Sequence, residues 1–197
     1  FEKKKIKLFI QMGSSAEYGD IRSPHKENIS GNAKDIYGKA KLLATKHLLQ
    51  KKIPFVIFRL YQIYGPHQDD NRFIPFIINS CLNDIKFPCS KGEQLRDFLY
   101  IDDFIKAISL LIKKDNFYGQ IFNLGSAKPI KLKKIISKIN KLIKKGLPDY
   151  GKIKMRENEQ IIVYPSINKI KNYIDWKPKI NIDDGLKKTI KYFKKNK

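Results

Sequence analysis

The sequence predicts an α/β fold organised around a parallel sheet. Three short apolar runs, residues 6–12, 55–58 and 121–124, are typical of buried strands. The segments between them carry apolar residues at helical spacing, and strands that alternate with helices favour a parallel sheet. In such a sheet, ligands bind at the carboxyl ends of the strands. Residues that carry chemistry are therefore expected directly after each apolar run.

The first third of the chain reads as strand, helix and strand. The first strand runs into Gly13, and a polar loop over residues 20–32 leads into a helix over residues 33–51. The apolar residues of this helix recur at helical spacing: Ile36, Ala40, Leu43, Ala44 and Leu48. Pro54 separates the helix from the second strand, residues 55–58, which ends in "RLYQIYGP". Both "GSS" and "RLYQIYGP" therefore lie at carboxyl ends of predicted strands.

The rest of the chain is predicted to be more mixed. Two short strands joined by a turn are expected within "FPCSKGEQLRDFLYIDD". Two aspartate pairs, Asp102-Asp103 and Asp183-Asp184, are expected to cap the helices that they precede or begin. The helices predicted here cover residues 73–82, 104–114, 132–145 and 182–193.

The composition describes a globular domain with a strong positive charge. Hydrophobic residues make up 42% of the 197 residues, which is enough for a packed core. The net charge of +22 comes mostly from lysines spread along the chain, and this spread favours a composition bias over a nucleic-acid surface. A nucleic-acid partner is therefore not expected, and a functional basic patch is the alternative interpretation.

Other features argue against several classes of protein. No apolar run is long enough for a membrane span and no secretory leader is recognised, so a cytoplasmic location away from membranes is expected. Cys81 and Cys89 are the only cysteines, which favours neither a disulfide framework nor a zinc site. The three histidines are scattered without a partner at metal spacing, so no metal is predicted.

A tyrosine and a lysine lie one helical turn apart in "YGKAK", at Tyr37 and Lys41. This spacing places both side chains on one face of the predicted helix. A nearby ammonium, here that of Lys41, favours the phenolate form of a tyrosine. The tyrosine could then exchange a proton with a substrate oxygen, and a hydroxyl from Ser14 or Ser15 could hydrogen-bond that oxygen. Together these groups would make a proton-transfer site. The alternative is an ordinary amphipathic helix, because this pattern arises easily by chance in a lysine-rich chain.

Six short motifs follow one another in an order that resembles the extended short-chain dehydrogenase/reductase family. They are "GSSAEYGD", "YGKAK", "FRLYQIYGP", "RDFLYIDD", "FNLGS" and "IDWKPKINIDDGLKKTI". The resemblance covers essentially the whole chain and is narrowest to the nucleotide-sugar epimerases, reductases and dehydratases. It implies an NAD- or NADP-dependent epimerase or keto-reductase that acts on a nucleoside-diphosphate sugar, in the setting of polysaccharide biosynthesis.

The resemblance also implies roles for individual residues. Tyr37 would be the catalytic acid and base, with Lys41 as its partner, and both would contact the cofactor. Ser14, four residues before the tyrosine of the first "YG", would complete the catalytic set. Tyr61 would be a further cofactor contact. Substrate contacts are implied for Ser15, Gln62 and Arg96.

Two of these substrate contacts leave alternatives open. Gln62 stands where the family usually has asparagine, so its contact differs from the usual one. The guanidinium of Arg96 suits a diphosphate by charge and geometry, whereas the alternative for this residue is a salt bridge with Asp97 or Asp103.

Two motifs of the family are absent from the sequence. Dehydratases of the family carry an Asp-Glu pair after the catalytic threonine, and Ser15-Ala16 occupies those places here, so dehydration is disfavoured. The glycine-rich turn that binds the cofactor pyrophosphate is also missing, so the chain is expected to begin inside the dinucleotide-binding sheet. We therefore expect the 197-residue chain alone to bind NAD(P) poorly and to show little activity. An inactive remnant, or a non-catalytic relative that binds nucleic acid or cofactor, is the alternative.

The resemblance implies two structural regions. Residues 1–66 would be the C-terminal part of a Rossmann-like, doubly wound dinucleotide-binding domain that lacks its N-terminal part. Residues 67–197 would form mainly a small C-terminal substrate-binding subdomain, with residues 98–125 returning to the sheet. The family commonly forms homodimers through the helix that carries the tyrosine–lysine pair. Candidate interface residues are Ala40, Leu43, Ala44 and His47, for which packing inside the monomer is the alternative.

Overall fold

The computed structural model describes residues 6–114, 117–156 and 159–196, so the first five residues of the predicted N-terminal region lie outside it. The strands, β1 to β10 in chain order, are Phe9–Ser14, Phe55–Leu60, Gln62–Tyr64, Lys86–Cys89, Leu95–Arg96, Phe98–Tyr100, Gln120–Leu124, Ile130–Lys131, Leu147–Tyr150 and Ile162–Val163. The helices, α1 to α6, are Ile36–Leu49, Phe73–Leu82, Ile101–Leu111, Leu132–Ile143, Asn168–Ile174 and Ile182–Lys195. A short 3₁₀ helix covers Ser15–Tyr18.

A parallel sheet of β1, β2 and β7, in that order, forms the centre of the N-terminal region. Strand β2 lies in the middle, where Phe9 pairs with Phe55 on one side and Val56 pairs with Gln120 on the other. The first five residues of β2 are buried, as expected for a strand that is covered on both faces. The predicted α/β fold with a parallel sheet is therefore confirmed.

Smaller sheets extend the structure beyond the central one. Among the described residues, β3 pairs with β6, β4 pairs with β9, and β5 lies between β10 and β8. Strand β3 follows β2 after a single residue, so the chain leaves the central sheet at Tyr61 and turns towards β6. This arrangement brings the end of β2 next to β5 and β6, which is where the family resemblance expects the substrate.

A large hydrophobic cluster joins three helices of the second half of the chain. Helices α2, α4 and α6 pack together, and isoleucines supply much of the buried surface: Ile77, Ile78, Ile135, Ile139 and Ile190. Each such side chain contributes about 1.5–3 kcal/mol when it is fully removed from water. The opposite face of α4 exposes Lys133, Lys134 and Lys141 to solvent. The helix is therefore amphipathic, with its lysines solvated.

A second cluster lies between the central sheet and helices α3 and α5. It contains Val56, Phe58 and Phe122 of the sheet together with Leu111 and Trp176. The indole nitrogen of Trp176 donates a hydrogen bond to the backbone carbonyl of Asp103, at 3.1 Å. The single tryptophan is therefore a packing residue whose polar atom is satisfied. No helix of the described segments combines the length and the apolar character that a membrane crossing needs.

The aspartate pairs do not cap their helices in the predicted way. Helix α3 begins at Ile101, three residues before the predicted start, with Tyr100 as its N-cap. The Asp103 carboxylate instead accepts hydrogen bonds from the backbone N–H groups of Lys179 and Ile180, at 3.0 and 2.8 Å. A carboxylate can satisfy backbone donors that are distant in sequence as well as those of its own helix, and the sequence does not distinguish the two. Asp103 therefore fastens the C-terminal segment to α3.

Helices α5 and α6 add two further differences. Helix α6 begins at the predicted residue, but Asn181 is its N-cap and accepts a hydrogen bond from the backbone N–H of Asp184. Helix α5, seven residues long, was not predicted. Its few apolar residues, among them Ile170 and Ile174, are too short a pattern to indicate a helix without its packing partners.

Candidate functional site

One of several clefts in the described part of the chain lies at the carboxyl end of β1 and has a volume of about 890 Å³. Three residues that the family resemblance assigns to the substrate, Ser15, Gln62 and Arg96, line this cleft together. They come from the 3₁₀ helix, from β3 and from β5, so only the folded chain brings them together. The cleft therefore lies at a strand end, where a ligand is expected in a parallel sheet.

The two serines of "GSS" differ in position. Ser14 ends β1 and caps the 3₁₀ helix, and its hydroxyl oxygen accepts a hydrogen bond from the backbone N–H of Ala16 at 3.1 Å. The backbone N–H of Ser14 donates to the Glu17 carboxylate at 2.9 Å, which completes a capping box. Among the described residues, the cleft lining includes Ser15 and not Ser14. The hydroxyl proton of Ser14 is still available for donation, because the capping bond uses only its oxygen.

Behind the cleft lies a buried ion pair that the sequence did not reveal. The Arg59 guanidinium donates to the Glu17 carboxylate at 2.9 Å, and the two side chains are 3% and 0% exposed. The guanidinium also lies over the ring of Tyr18, 4.5 Å from the ring centroid. Glu17 is therefore committed to structure.

The tyrosine and lysine of "YGKAK" lie on α1, beside β1. The ammonium of Lys41 donates to the Met12 carbonyl at 2.8 Å and lies 5.7 Å from the centroid of the Tyr37 ring. Tyr37 is 58% exposed. Neither residue belongs to the described lining of the cleft, although Lys34 and Asp35 at the start of the same helix do. Tyr37 and Lys41 therefore form an accessible pair next to the cleft, with the lysine held by β1.

Tyr61 occupies an interior position between the sheet and the loop that follows the 3₁₀ helix. Its side chain is 6% exposed, and its hydroxyl is 2.8 Å from Nδ1 of His25. Burial raises the pKa of Tyr61 above its ordinary value, so the phenol stays protonated. Any contact between Tyr61 and a cofactor would therefore use its ring or its backbone, since the hydroxyl is already bonded.

Arg96 lines the cleft but already has an anionic partner. Its guanidinium donates to the Glu159 carboxylate at 2.7 Å and to the backbone carbonyl of Ile161 at 3.3 Å. The alternative prediction of a salt bridge with Asp97 or Asp103 is wrong. The Asp97 carboxylate accepts from Ser126 and Lys128 instead, and Asp103 holds the C-terminal segment as described above.

Several cleft residues were missed by sequence reasoning. Arg156 and Gln160 come from the polar stretch "RENEQ" before β10, and Lys34 comes from the start of α1. Lys34 pairs with Asp20 at 3.3 Å across the rim. Arg156 is one of only five arginines in this lysine-rich chain, which was its one signal, and Lys34 had no signal because lysines occur throughout.

Comparison with known proteins places the chain in a family. The sequence pattern of the NAD dependent epimerase/dehydratase family matches residues 1–125. The chain is 29% identical over 203 residues to the UDP-glucuronate 4-epimerase of Thermodesulfobacterium geofontis, covering 97% of this chain and 60% of that protein. It is 31% identical over 147 residues to the CDP-abequose synthase of Salmonella typhimurium, covering 71% of this chain and 48% of that protein.

A solved structure shows the same fold. The UDP-glucuronic acid 4-epimerase of Bacillus cereus, in complex with UDP-glucuronic acid and NAD, matches with a TM-score of 0.91 and 26% identity. The match covers 100% of this chain and 64% of that one, so the chain spans less than two thirds of the length of each of these relatives. The Rossmann-like architecture and the resemblance to extended short-chain dehydrogenases/reductases are both confirmed. The chain belongs to the NAD dependent epimerase/dehydratase family.

Proposed function

We propose that the protein is an NAD(P)-dependent epimerase or keto-reductase of a nucleoside-diphosphate sugar, with Tyr37 as acid and base. The observation that carries the proposal is the shared cleft of Ser15, Gln62 and Arg96, beside the accessible pair of Tyr37 and Lys41. The relatives support the class of substrate, because their names include a UDP-glucuronate epimerase and a CDP-sugar synthase. Polysaccharide biosynthesis in the cytoplasm is the setting that we infer.

The cleft suits a diphosphate flanked by two organic groups. Its volume of about 890 Å³ lies within the range of ligand sites that bury a molecule of nucleotide size. Arg96 and Arg156 both line the cleft and supply positive charge, and a guanidinium can bind two phosphate oxygens at once. A bound diphosphate would compete with Glu159 for Arg96. Serine and glutamine side chains, which can donate and accept, are suited to the hydroxyls of the sugar.

The residues around Tyr37 fit the nicotinamide half of a cofactor. The phenol and the Lys41 ammonium are both accessible and lie close enough to bind ribose hydroxyls together. The ring of Tyr61 lies at the end of β2, the same end of the sheet. The sequence holds no glycine-rich turn, so this proposal concerns the nicotinamide half only. When bound, the cofactor supplies the hydride acceptor or donor.

The chain's own residues would move the proton. In epimerisation, Tyr37 takes the proton from a sugar hydroxyl as the carbon is oxidised and returns it when the carbon is reduced on its other face. In keto-reduction, Tyr37 gives its proton to the carbonyl oxygen. The Lys41 ammonium, fixed by the Met12 carbonyl, stabilises the negative charge on the phenol oxygen. Ser14 or Ser15 donates a hydrogen bond to the same sugar oxygen.

The test of this proposal uses the full-length gene product with NAD or NADPH and a set of UDP-, dTDP- and CDP-sugars. An epimerase converts one sugar into its epimer without net use of cofactor, whereas a reductase oxidises one NADPH for each sugar that it reduces. Product analysis by NMR together with cofactor absorbance separates the two. Absence of binding and of turnover with every sugar nucleotide would overturn the proposal.

Replacement of Arg96 by alanine is expected to weaken the binding of uridine diphosphate by about tenfold to a hundredfold, since charge-assisted bonds of about 1.5–3 kcal/mol are lost. Arg96→Lys is expected to recover only part of the affinity. Lysine keeps the positive charge but cannot form the bidentate hydrogen bonds of a guanidinium. Arg72→Ala removes an exposed arginine outside the cleft and serves as the control. Calorimetry measures all three. Equal affinities for wild type and Arg96→Ala would remove Arg96 from the site.

We further propose a homodimer through helix α1. The side chains on one side of this helix are exposed although several are apolar: Ile36, Ala40, Leu43, Ala44 and His47. An apolar stripe of this kind is usually covered in solution by a partner. Sedimentation velocity is expected to show a dimer, and Leu43→Asp is expected to shift it to the monomer. A wild-type monomer would contradict this assignment.

A further inference from the structure

A histidine with no catalytic assignment lies in the interior between the cleft and the central sheet. His25 is fully buried, at 0% exposure, in the loop between the 3₁₀ helix and α1. Its Nε2 lies 2.8 Å from the backbone carbonyl oxygen of Ile21, and its Nδ1 lies 2.8 Å from the hydroxyl of Tyr61. Because a carbonyl oxygen only accepts, Nε2 must carry a proton, and in the neutral ring Nδ1 then accepts from the Tyr61 hydroxyl. These contacts assign a single neutral tautomer to His25.

Two contacts of this ring connect it to cleft residues, and a third, longer contact of 3.4 Å joins Nε2 to the Ser23 hydroxyl. Tyr61 is followed directly by Gln62, which lies in the cleft wall. The Ile21 carbonyl also accepts a hydrogen bond from the side-chain amide of Gln160, at 3.1 Å, and Gln160 lies in the cleft wall as well. His25 therefore connects a wall residue near β2 with a wall residue from the C-terminal segment.

The backbone of His25 fixes the ring in this position. Its N–H donates to the Tyr164 carbonyl at 3.0 Å, and its carbonyl accepts from the Ser166 N–H at 2.8 Å. The side-chain amide of Asn123 donates to the same carbonyl at 3.0 Å, and the Tyr18 hydroxyl donates to the Asn123 oxygen at 2.8 Å. The loop is thus tied to β7 and to the segment after β10, which leaves the ring little freedom to turn.

The surroundings of the ring favour its neutral form. The ring stacks on Tyr18 with 4.4 Å between centroids, and the Arg59 guanidinium lies on Tyr18, paired with Glu17. Glu27 and Asp97 are further carboxylates near this network, and Glu27 accepts a hydrogen bond from the backbone N–H of Asn123. Burial lowers the pKa of His25, the bond to the Ile21 carbonyl acts in the opposite direction, and the charge of Arg59 adds to the lowering.

We propose that His25 is a positioning residue of the cleft: its neutral ring holds Gln62 through Tyr61 and Gln160 through the Ile21 carbonyl. Loss of the imidazole would release both amides from their positions. Protonation would disturb Gln62 through Tyr61, whereas the Nε2–H bond to the Ile21 carbonyl beside Gln160 would persist and become charge-assisted. Protonation would place a hydrogen on Nδ1, which could then no longer accept from Tyr61. The inference rests on the proposed function in one respect, because it takes this cleft to be the sugar-nucleotide site.

Two NMR measurements on the wild-type protein test the bonding without any ligand. Imidazole nitrogen shifts are expected to show the Nε2-protonated tautomer at neutral pH. On acidification, the side-chain amide signals of Gln62 and Gln160 are expected to move with the titration of His25, at a midpoint below about 6.5. The proposal would be overturned if the neutral ring carried its proton on Nδ1, or if the glutamine signals did not change as His25 titrates. Either result would count even if the enzyme is active.

Three variants test the positioning role: His25→Phe, Tyr61→Phe and the double replacement. Each single variant is expected to raise the Kd for UDP-glucose roughly threefold to tenfold. The double variant is expected to match the single ones, because the two residues act as one unit. Unchanged Kd values with lowered stability would mean a purely structural histidine and would refute the inference. Failure of the wild type to bind UDP-glucose would count against the proposed function alone, since the NMR result does not depend on it.

The stability difference between wild type and His25→Phe carries a pH signature. The folded pKa lies below the unfolded value of about 6.5, so below that pH the unfolded chain binds a proton that the folded chain does not. The stabilisation from neutral His25 is therefore fully present above about pH 6.5 and is lost as the pH falls through the folded pKa. Urea unfolding of both proteins across this range is expected to show a difference that shrinks on acidification. A difference that grows towards acid pH would contradict a neutral buried ring.

Discussion

Replacement of Tyr37 by phenylalanine is expected to lower turnover by about 10²- to 10⁴-fold, the usual contribution of a positioned acid and base. The change removes one oxygen and keeps the ring, so the fold and α1 should be unaffected. Tyr37 is 58% exposed, so its hydroxyl lies largely in solvent and its loss removes no buried polar group. Affinity for the sugar nucleotide is therefore expected to stay near the wild-type value, and the loss is expected in kcat.

Matched variants separate this effect from a general loss of tyrosine or lysine. Tyr118→Phe removes the hydroxyl of another exposed tyrosine and is expected to leave turnover unchanged. Lys41→Met is expected to lower kcat, whereas Lys39→Met, an exposed neighbour on the same helix, is not. Steady-state kinetics and sugar-nucleotide calorimetry on the full-length gene product give both quantities. If the Tyr37→Phe enzyme kept the wild-type kcat, another residue would have to be the catalytic acid and base.

Replacement of Arg59 by methionine is expected to destabilise the fold by about 3–5 kcal/mol, because it leaves the buried Glu17 carboxylate without its partner. Both side chains are almost fully enclosed, so water cannot take the place of the guanidinium. The same change also removes the cation that lies over the Tyr18 ring. Urea or guanidinium unfolding followed by circular dichroism measures the loss.

The double variant Glu17→Gln with Arg59→Met is expected to recover part of that stability, since no buried charge then remains unpaired. Lys131→Ala breaks an exposed ion pair with Glu93 and serves as the control, with little change expected because solvent screens such pairs. If the single Arg59 variant were as stable as the control, the ion pair would contribute no more than a surface contact. The difference expected between the two ion pairs comes from the burial of the Arg59–Glu17 pair, since the Lys131–Glu93 pair is exposed.

Local patterns were enough for the central strands, for most of the helices and for the family resemblance. Apolar runs and helical spacing identified the three strands of the central sheet, and helix α2 was predicted with its observed ends. The i, i+4 spacing of Tyr37 and Lys41 correctly placed both side chains on one side of α1. These features depend on residues a few positions apart, whose interactions are set by the repeat of a helix or a strand.

Helix ends and buried faces were less predictable. Helix α1 covers Ile36–Leu49 and not residues 33–51, because Asp35 caps its first turn. Two of its regularly spaced apolar residues, Ile36 and Leu43, are exposed, whereas the polar Thr45 is buried. Periodicity indicates a helix but does not say which side packs, since that depends on what the rest of the fold places against it.

The sequence by itself determined the α/β class, the order of motifs and the residue types available for proton transfer. Only the tertiary structure decided that Ser15, Gln62 and Arg96 share one cleft, that Glu159 is the partner of Arg96, and that His25 is buried against Tyr61. A charged or polar side chain can form its hydrogen bonds or ion pairs with any complementary group that the fold brings within hydrogen-bond distance. Sequence separation does not limit that choice, so such pairings follow from the packing of the whole chain and not from local pattern.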